Sequence, residues 1–518
     1  MKITSSLVAT ASLCAFVCAP ATTPAEEGRN SASRPESAEH SLRQSDTEAH
    51  VRYLASDELG GRQPGTDGGM AAARYIAEHF RKAGLVSLPG AEDFFQQVPL
   101  IRRRPVLDGY VVALGDTLRM QSDGILIAGQ ATNVAATGVY VNYGTAADFD
   151  ALEVSLDGRV ALARLGSPDA YSITAAMRIA ETKRALVASM GAVGLVELVG
   201  SEDSWDRIYR YATPERHLQD VGAPELPHVW IADPDDGIRN EATRRNLRIT
   251  VSAPESPRSH FSSPNVIGLV PGTDPALRDE YVLLLGHYDH LGSGPAAEFA
   301  GRLPSSPESD DHVYNGARDN AIGIAALLNA ASALGAMPPA RSVLIAAVTA
   351  EESGLIGSTY YARYPAVPIS KTVFVQNVDG AGYNDTGIVT VVGRGRTSAD
   401  GDIDAGASAF DLQAISDPVP EQRLYERSDH IVFARLGIPS VAFSPGFRSL
   451  DEDLMRFYHR VEDEADEDLD FAYVHRFTQS FAHAARRIAD SPDRPAWTVG
   501  DEFEMAVRRR HEPESHDN

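Results

Sequence analysis

The sequence predicts an α/β protein: a mostly parallel open sheet flanked by helices, with a smaller β-rich insert. Three observations carry this. From Pro264 onward, apolar runs of strand length alternate with helical patterns. From about Asp116 to Ser252 the texture shifts to short β-rich pieces punctuated by turns. Ahead of both, Glu48 to Leu85 reads as largely helical. A chain of 518 residues exceeds one ordinary core, which sets an expectation of two or three domains.

Taken in order, the chain starts with Lys2, a short apolar core from Leu7 to Val17 and a small-x-small site at Ala19-Pro20-Ala21. This pattern predicts a secretory signal peptide over 1–25, cleaved after Ala21 or Ala25. Export to a periplasmic or extracellular compartment follows. Both cysteines, Cys14 and Cys18, lie inside that segment, so the mature chain has no disulfide and no thiolate ligand. Residues 26–43, poor in apolar side chains, are expected to be a flexible lead-in.

Residues 44–115 are assigned to the N-terminal part of the main domain. There Ala73, Ile76, Phe80 and Leu85 share roughly one helical face behind the glycine-rich "DELGGRQPGTDGG". Residues 116–255 form the insert, with strands such as "GRVALARLG" and "GAVGLVEL" and one helix near Ile173 to Met190. Residues 256–490 form the core. Its strands are "NVIGLVPG", "YVLLLG", "RSVLIAAVTA", "TVFVQNVDG" and "GIPSVAFS", and its clearest helix runs from Asp319 to Gly335. Residues 491–518 are a charged tail to which no function is assigned.

A formal net charge of -25 argues against nucleic-acid binding, since phosphate backbones select basic surfaces. Beyond the leader, no apolar run approaches the ~20 residues of a membrane span.

In open α/β sheets, ligands bind beyond the carboxyl ends of the strands. His287 and Asp289 follow "YVLLLG"; Glu351 and Glu352 follow "RSVLIAAVTA"; Asp379 ends "TVFVQNV"; His459 lies in "FYHRVED" after the last strand; Asp319 opens a helix behind "NGARDN". Singly, each is what a surface turn, a solvated helix start or an N-cap looks like. Together at successive strand ends they point to a metal site. Two imidazoles and three carboxylates (His287, Asp319, Glu352, Asp379, His459) suit Zn²⁺, with Mn²⁺ or Co²⁺ as substitutes. Two Zn²⁺ balance three carboxylates and a hydroxide better than one does, and Asp319 is the natural bridge. Adjacent residues at a strand end point in different directions, so one of Glu351 and Glu352 ligates while the other takes a proton from bound water. Asp289 is close enough to accept the second imidazole N–H of His287.

Through "GHYDHLG", "NGARDNAIG", "TAEESGLIGS", "NVDGAG", "YERSDH" and "YHRVED", in that order, the chain resembles the co-catalytic zinc aminopeptidases, relatives of glutamate carboxypeptidase and the transferrin receptor. The insert resembles a protease-associated domain. The resemblance implies a zinc exopeptidase fold and a peptidase acting on peptide or protein N-termini. It implies one zinc held by His287, Asp319 and Asp379, and a second by Asp319, Glu352 and His459. Glu351 is then the general base, Asp289 the partner of His287, and Tyr425 an oxyanion donor. Asp429 is either a neighbour of the ligands or a helix cap, and His290 and His312 are neighbours of the site. Arg318 stands where the family often has an acidic residue, and Arg-Val-Glu-Asp follows His459 where Thr-Pro-Asp-Asp is more usual. The alternatives are a carboxypeptidase using Arg318, Arg394 or Arg427 for a substrate carboxylate, a single-zinc glutaminyl cyclase, and a non-catalytic receptor-like protein. Oligomeric state and the preferred first residue are not legible.

Overall fold

The structure, a computed structural model, describes residues 37–129, 131–168, 173–212, 216–219, 226–294 and 311–504. The expected signal peptide lies outside them. Nine strands form the large sheet: β1 (Phe95–Arg103), β2 (Arg216–Gln219), β3 (Arg258–Val270), β4 (Tyr281–His287), β5 (Ser342–Val348), β6 (Thr372–Val378), β7 (Ile388–Val392), β8 (Gln413–Ser416) and β9 (Ser440–Pro445), in the order β8-β7-β9-β6-β4-β5-β3-β1-β2.

The central strands are apolar at nearly every position because both faces are covered. Along β4, Val282 and Leu284 enter one core while Leu283 and Leu285 enter the other. The first core is closed by helices α1 (Gln44–Leu54), α2 (Asp67–Lys82), α3 (Ile322–Ala336), α5 (Asp400–Ser408) and α6 (Phe471–Asp490). The second is closed by α4 (Ile356–Arg363), through Tyr361, and by Phe433 of a short helix, His430–Ala434.

The block β5-β4-β6-β9 is parallel, as is β7 on β8. The joints β2/β1, β1/β3, β3/β5 and β9/β7 are antiparallel. The sheet is therefore mixed, and only its centre fits the expected parallel arrangement. At the β1/β3 joint the reason is topological: β1 leaves for the insert and β3 returns from it, so the two limbs run in opposite senses.

A second, eight-stranded sheet is built between Tyr110 and Ala253 and has its own apolar cluster. It begins at Tyr110–Ala113, ahead of the boundary expected at 116. Its strands Thr132–Tyr140, Val160–Arg164, Gly194–Val199 and His228–Ala232 pair in parallel, connected through helices that include Ile173–Ser189. The insert is thus α/β in character, and its segment Arg216–Gln219 pairs with β1 at the edge of the large sheet.

Both ends of the described chain depart from expectation. The lead-in is docked from Ala38, where a 3-10 turn (Ala38–Ser41) buries Glu39 completely. Arg486 Nε donates to Glu39 Oε1 at 2.6 Å, and His483 Nδ1 lies 3.2 Å from Oε2. After α6 the charged tail still packs as far as Phe503. Trp497 is buried and donates its indole N–H to the Gly437 carbonyl at 2.9 Å. In each case one side chain among polar neighbours fixes a segment whose average composition reads as solvated.

Candidate metal centre

The parallel block sends its carboxyl ends to one rim, and the chemistry collects there. His287 is the last residue of β4, Asp379 follows β6 directly, and Glu351 and Glu352 follow β5 after a short turn. Asp319 comes from the turn ahead of α3, and His459 from the segment between β9 and α6. Ala350 and His459 both sit at φ 57, in the left-handed region that L side chains disfavour. The turn before Asp319 needs Gly316 at φ 61, because a Cβ there would lie 2.2 Å from the Asp319 carbonyl oxygen. The Asp319–Asn320 peptide is cis. The Asn320 amide reaches the carbonyls of His287 (3.3 Å) and Val378 (3.0 Å), tying the ends of β4 and β6 together.

Asp319 is the centre of the cluster. His287 Nε2 lies 3.3 Å from its Oδ1, and His459 Nε2 lies 3.2 Å from its Oδ2. His287 Nε2 is also 3.2 Å from Asp379 Oδ1, and His459 Nε2 is 3.3 Å from Glu352 Oε2. Two sets of donors converge within 4.8 Å among the described residues, His287-Asp319-Asp379 and His290-Asp319-Glu352, and Asp319 is common to both. His290, expected only as a neighbour, places Nδ1 2.7 Å from Glu352 Oε1. His312 is exposed.

Crowded acids and imidazoles shift one another. Burial alone would lower the His287 pKa, but Asp379, Glu351 and Asp319 outweigh it and raise it well above the usual imidazole range. Burial would raise Asp319, yet its contacts with His287 and His459 hold it well below the carboxylate range. Glu351 moves the other way: burial, then the charges of Asp379, Asp429 and Glu352, push it well up. The two adjacent glutamates are therefore different acids, since burial acts on Glu352 too but His459 and His290 bring it down. Burial also pushes Asp289 up to about 7 and Asp429 up to about 6.

The surroundings fix the ligands. Asp463 accepts the Arg318 and Asp319 backbone N–H groups at 3.0 and 3.1 Å and the Arg318 guanidinium at 3.1 Å. Behind β6, Asn377 donates to Ser428 at 2.7 Å, and the Ser358 hydroxyl donates to Asp429. Asp429 is thus buried beside the candidate ligands, and its side chain makes no cap bond to the helix it precedes.

Two assigned roles change. His287 Nδ1 lies 3.9 Å from the Asp289 carboxylate but 3.1 Å from the Asp289 main-chain carbonyl. With one residue between them, the backbone oxygen reaches the ring first. The carboxylate instead accepts the Glu351 backbone N–H at 3.1 Å, so Asp289 positions the glutamate pair. Tyr425 donates its hydroxyl to the Ser440 carbonyl at 2.9 Å and lies under the Arg396 guanidinium. Ser440 pairs with Val375, four residues before Asp379, which is about 13 Å along a strand. The phenol is therefore held at the amino end of β9, away from the rim that carries the candidate ligands, and the expectation of an oxyanion donor there fails.

The tyrosine that does meet the cluster is Tyr458. Its ring stacks on His459 with centroids 4.0 Å apart. Burial and then the nearby charges of Asp319, Glu352 and Glu351 raise its pKa, so it stays a proton donor, while Arg427 donates to its oxygen at 3.2 Å. The sequence signal was adjacency: Tyr458 immediately precedes a predicted ligand.

The donor set fits a borderline-hard divalent ion. Asp289 Oδ2 and His290 Nε2 are buried without a hydrogen-bond partner, and the N/O chemistry is that of zinc.

Comparison with known proteins agrees with the geometry. Residues 265–485 match the profile of Peptidase family M28. An aminopeptidase from Aneurinibacillus sp. strain AM-1 shares the fold at TM-score 0.55 and 19% identity, over 88% of this chain and 96% of that one. A zinc aminopeptidase from Bacillus subtilis (TM-score 0.44, 19% identity, 89% and 97% covered) and a peptidase M28 precursor from Shewanella amazonensis SB2B (0.44, 19%, 87% and 97%) are also similar. No curated protein sequence matches the chain. No helix among the described residues is long and apolar enough to cross a membrane.

Proposed function

We propose that the protein is an exported, zinc-dependent aminopeptidase that hydrolyses the N-terminal peptide bond of peptides or proteins, with two zinc ions sharing Asp319. The observation that carries this reading is Asp319 with one imidazole on each carboxylate oxygen, His287 at 3.3 Å and His459 at 3.2 Å. The reading gives the first ion His287, Asp319 and Asp379, and the second Asp319, Glu352 and His459. His290, 2.7 Å from Glu352, stands beside the second set. Bound there, zinc supplies Lewis-acid polarisation of the scissile carbonyl and acidifies a water.

The rest is work for the chain's own groups. The Glu351 carboxylate takes the proton of the attacking water and delivers it to the departing amine nitrogen. The Asp289 carboxylate holds the Glu351 backbone so that this carboxylate keeps its place. The His287 Nδ1–H is committed to the Asp289 carbonyl, which leaves Nε2 to ligate. Tyr458 Oη–H donates to the oxygen that gains charge, and Arg427, donating to Tyr458, sharpens that proton. The second sheet is assigned, on its strand pattern, as a protease-associated-like module.

The carboxypeptidase reading loses two of its three arginines. Arg318 is paired with Asp463 at 3.1 Å and Arg394 with Asp404 at 2.7 Å. The test uses aminoacyl-nitroanilides against N-blocked peptides, with and without chelator, alongside metal analysis. Chelator-sensitive cleavage of the free-amine substrates and two zinc ions per chain are expected. Cleavage of blocked peptides alone, or protein that purifies and reconstitutes without zinc, refutes the reading.

A further inference from the structure

The glycine-rich segment after α1 has no part in the reaction above, yet it places a fully buried guanidinium against the metal loops. Arg62 ends a 3-10 turn (Asp57–Arg62) and is 1% exposed. Its Nε donates to the Tyr288 carbonyl at 2.8 Å, and its Nη2 to the Gly316 carbonyl at 3.0 Å. Its Nη1 donates to the carbonyls of Leu54 and Asn315. Tyr288 sits between His287 and Asp289, and Asn315 and Gly316 lead into Asp319. One rigid, planar fork thus spans the two loops that carry His287 and Asp319.

The approach is built in from both sides. The Asn315 amide donates back to the Ala55 carbonyl and to Asp57 Oδ1 at 2.9 and 2.8 Å. A Cβ on Gly61 would lie 2.4 Å from the Gly292 carbonyl oxygen and 2.6 Å from that of Tyr314, so only glycine lets the segment this close. None of the four bonds goes to a carboxylate. A cation needed only for neutralisation would be expected on one of the acids around it; here four of the five N–H donors go to backbone carbonyls.

We propose that Arg62 is a positioning residue for the metal centre, holding the His287 turn and the Asp319 turn at ligand spacing before any ion binds. The assignment rests on the dizinc reading and deepens it. Replacing groups that orient ligands typically weakens metal binding by about 10- to 100-fold.

The test compares wild type, Arg62→Lys and Arg62→Met, each stripped of metal and titrated with zinc against a competing chromophoric chelator. Melting is followed with and without zinc. The proposal expects Arg62→Lys to fold, zinc affinity to fall about 10-fold or more in both variants, and the zinc-induced rise in melting temperature to shrink. It also expects Arg62→Lys turnover to recover toward wild type at saturating zinc. A structural role alone would lower metal-free and zinc-loaded melting equally and leave affinity unchanged, which overturns the proposal. Failure of Arg62→Lys to fold assigns Arg62 to the fold and overturns it as well. A wild-type chain that takes up no zinc or leaves aminoacyl-nitroanilides uncut sinks the dizinc reading itself, an outcome distinct from the variants matching an active wild type.

Discussion

Replacing Glu39 by Gln should cost the protein a defined amount of stability with a defined pH signature. Glu39 is wholly buried under α6, between Arg486 and His483. Arg486 continues to the carbonyls of Met337 (2.7 Å) and Ala333 (3.1 Å) at the end of α3, so the carboxylate anchors a three-part joint. Burial pushes the Glu39 carboxyl up, but His483 and Arg486 outweigh it and bring it from 4.5 down to about 2. A lowered folded pKa contributes stability that is complete above the unfolded value and is lost as pH falls through the folded one. At 1.36 kcal/mol per pH unit this is about 3 kcal/mol at pH 7, roughly half of that at pH 3, and little by pH 2. Urea unfolding of chelator-treated wild type and Glu39→Gln, followed by far-ultraviolet dichroism at pH 7, 4 and 3, measures the difference directly. Removing metal keeps zinc loss at low pH out of the comparison. A gap of the same size at pH 7 and pH 3 would show that the cost is packing or hydrogen bonding and would refute the ion-pair reasoning.

Four further outcomes are expected. Glu351→Gln should retain zinc by metal analysis and lose turnover by about 10²- to 10⁴-fold; near-normal turnover removes Glu351 as the base. Asp319→Asn should release both ions rather than one, since its two oxygens face the two histidines; full occupancy by metal analysis contradicts the shared ligand. Tyr458→Phe should lower kcat by about 10²-fold with little change in KM, while Tyr425→Phe leaves kinetics alone; the reverse pattern restores the abandoned role. Trp497→Ala should destabilise the folded chain by about 3 kcal/mol, and an unchanged melting profile would mean that the C-terminal segment is not anchored there.

Much of this was written in the residue order. Apolar runs ending in His287, Glu351-Glu352 and Asp379 are the carboxyl ends of β4, β5 and β6, because a parallel sheet covered on both faces makes such runs and leaves polar residues only at its rims. What escaped was whatever depends on which atom of a residue arrives first. The Asp289 carbonyl displaces its own carboxylate at His287, and Tyr425 lies on a segment that joins β9 four residues from the rim. Spacing along the chain carries neither fact. Nor did composition reveal Glu39 or Trp497, since one buried contact outweighs the average of a polar segment. The antiparallel β1/β3 joint was hidden for a related reason: its two partners are separated by the whole insert.

That pairing has a consequence for how the protein is put together. Arg103 and Arg258 are opposite one another at the end of the β1–β3 ladder, so the chain leaves for the second sheet and comes back at a single doorway. Cutting everything between them and joining the stumps with a two-residue turn would leave an ordinary hairpin and an untouched cluster of acids and imidazoles. The excised piece takes β2 with it, baring the outer rim of β1 as a sticky margin. The second module is therefore detachable in topology but not without exposing an edge.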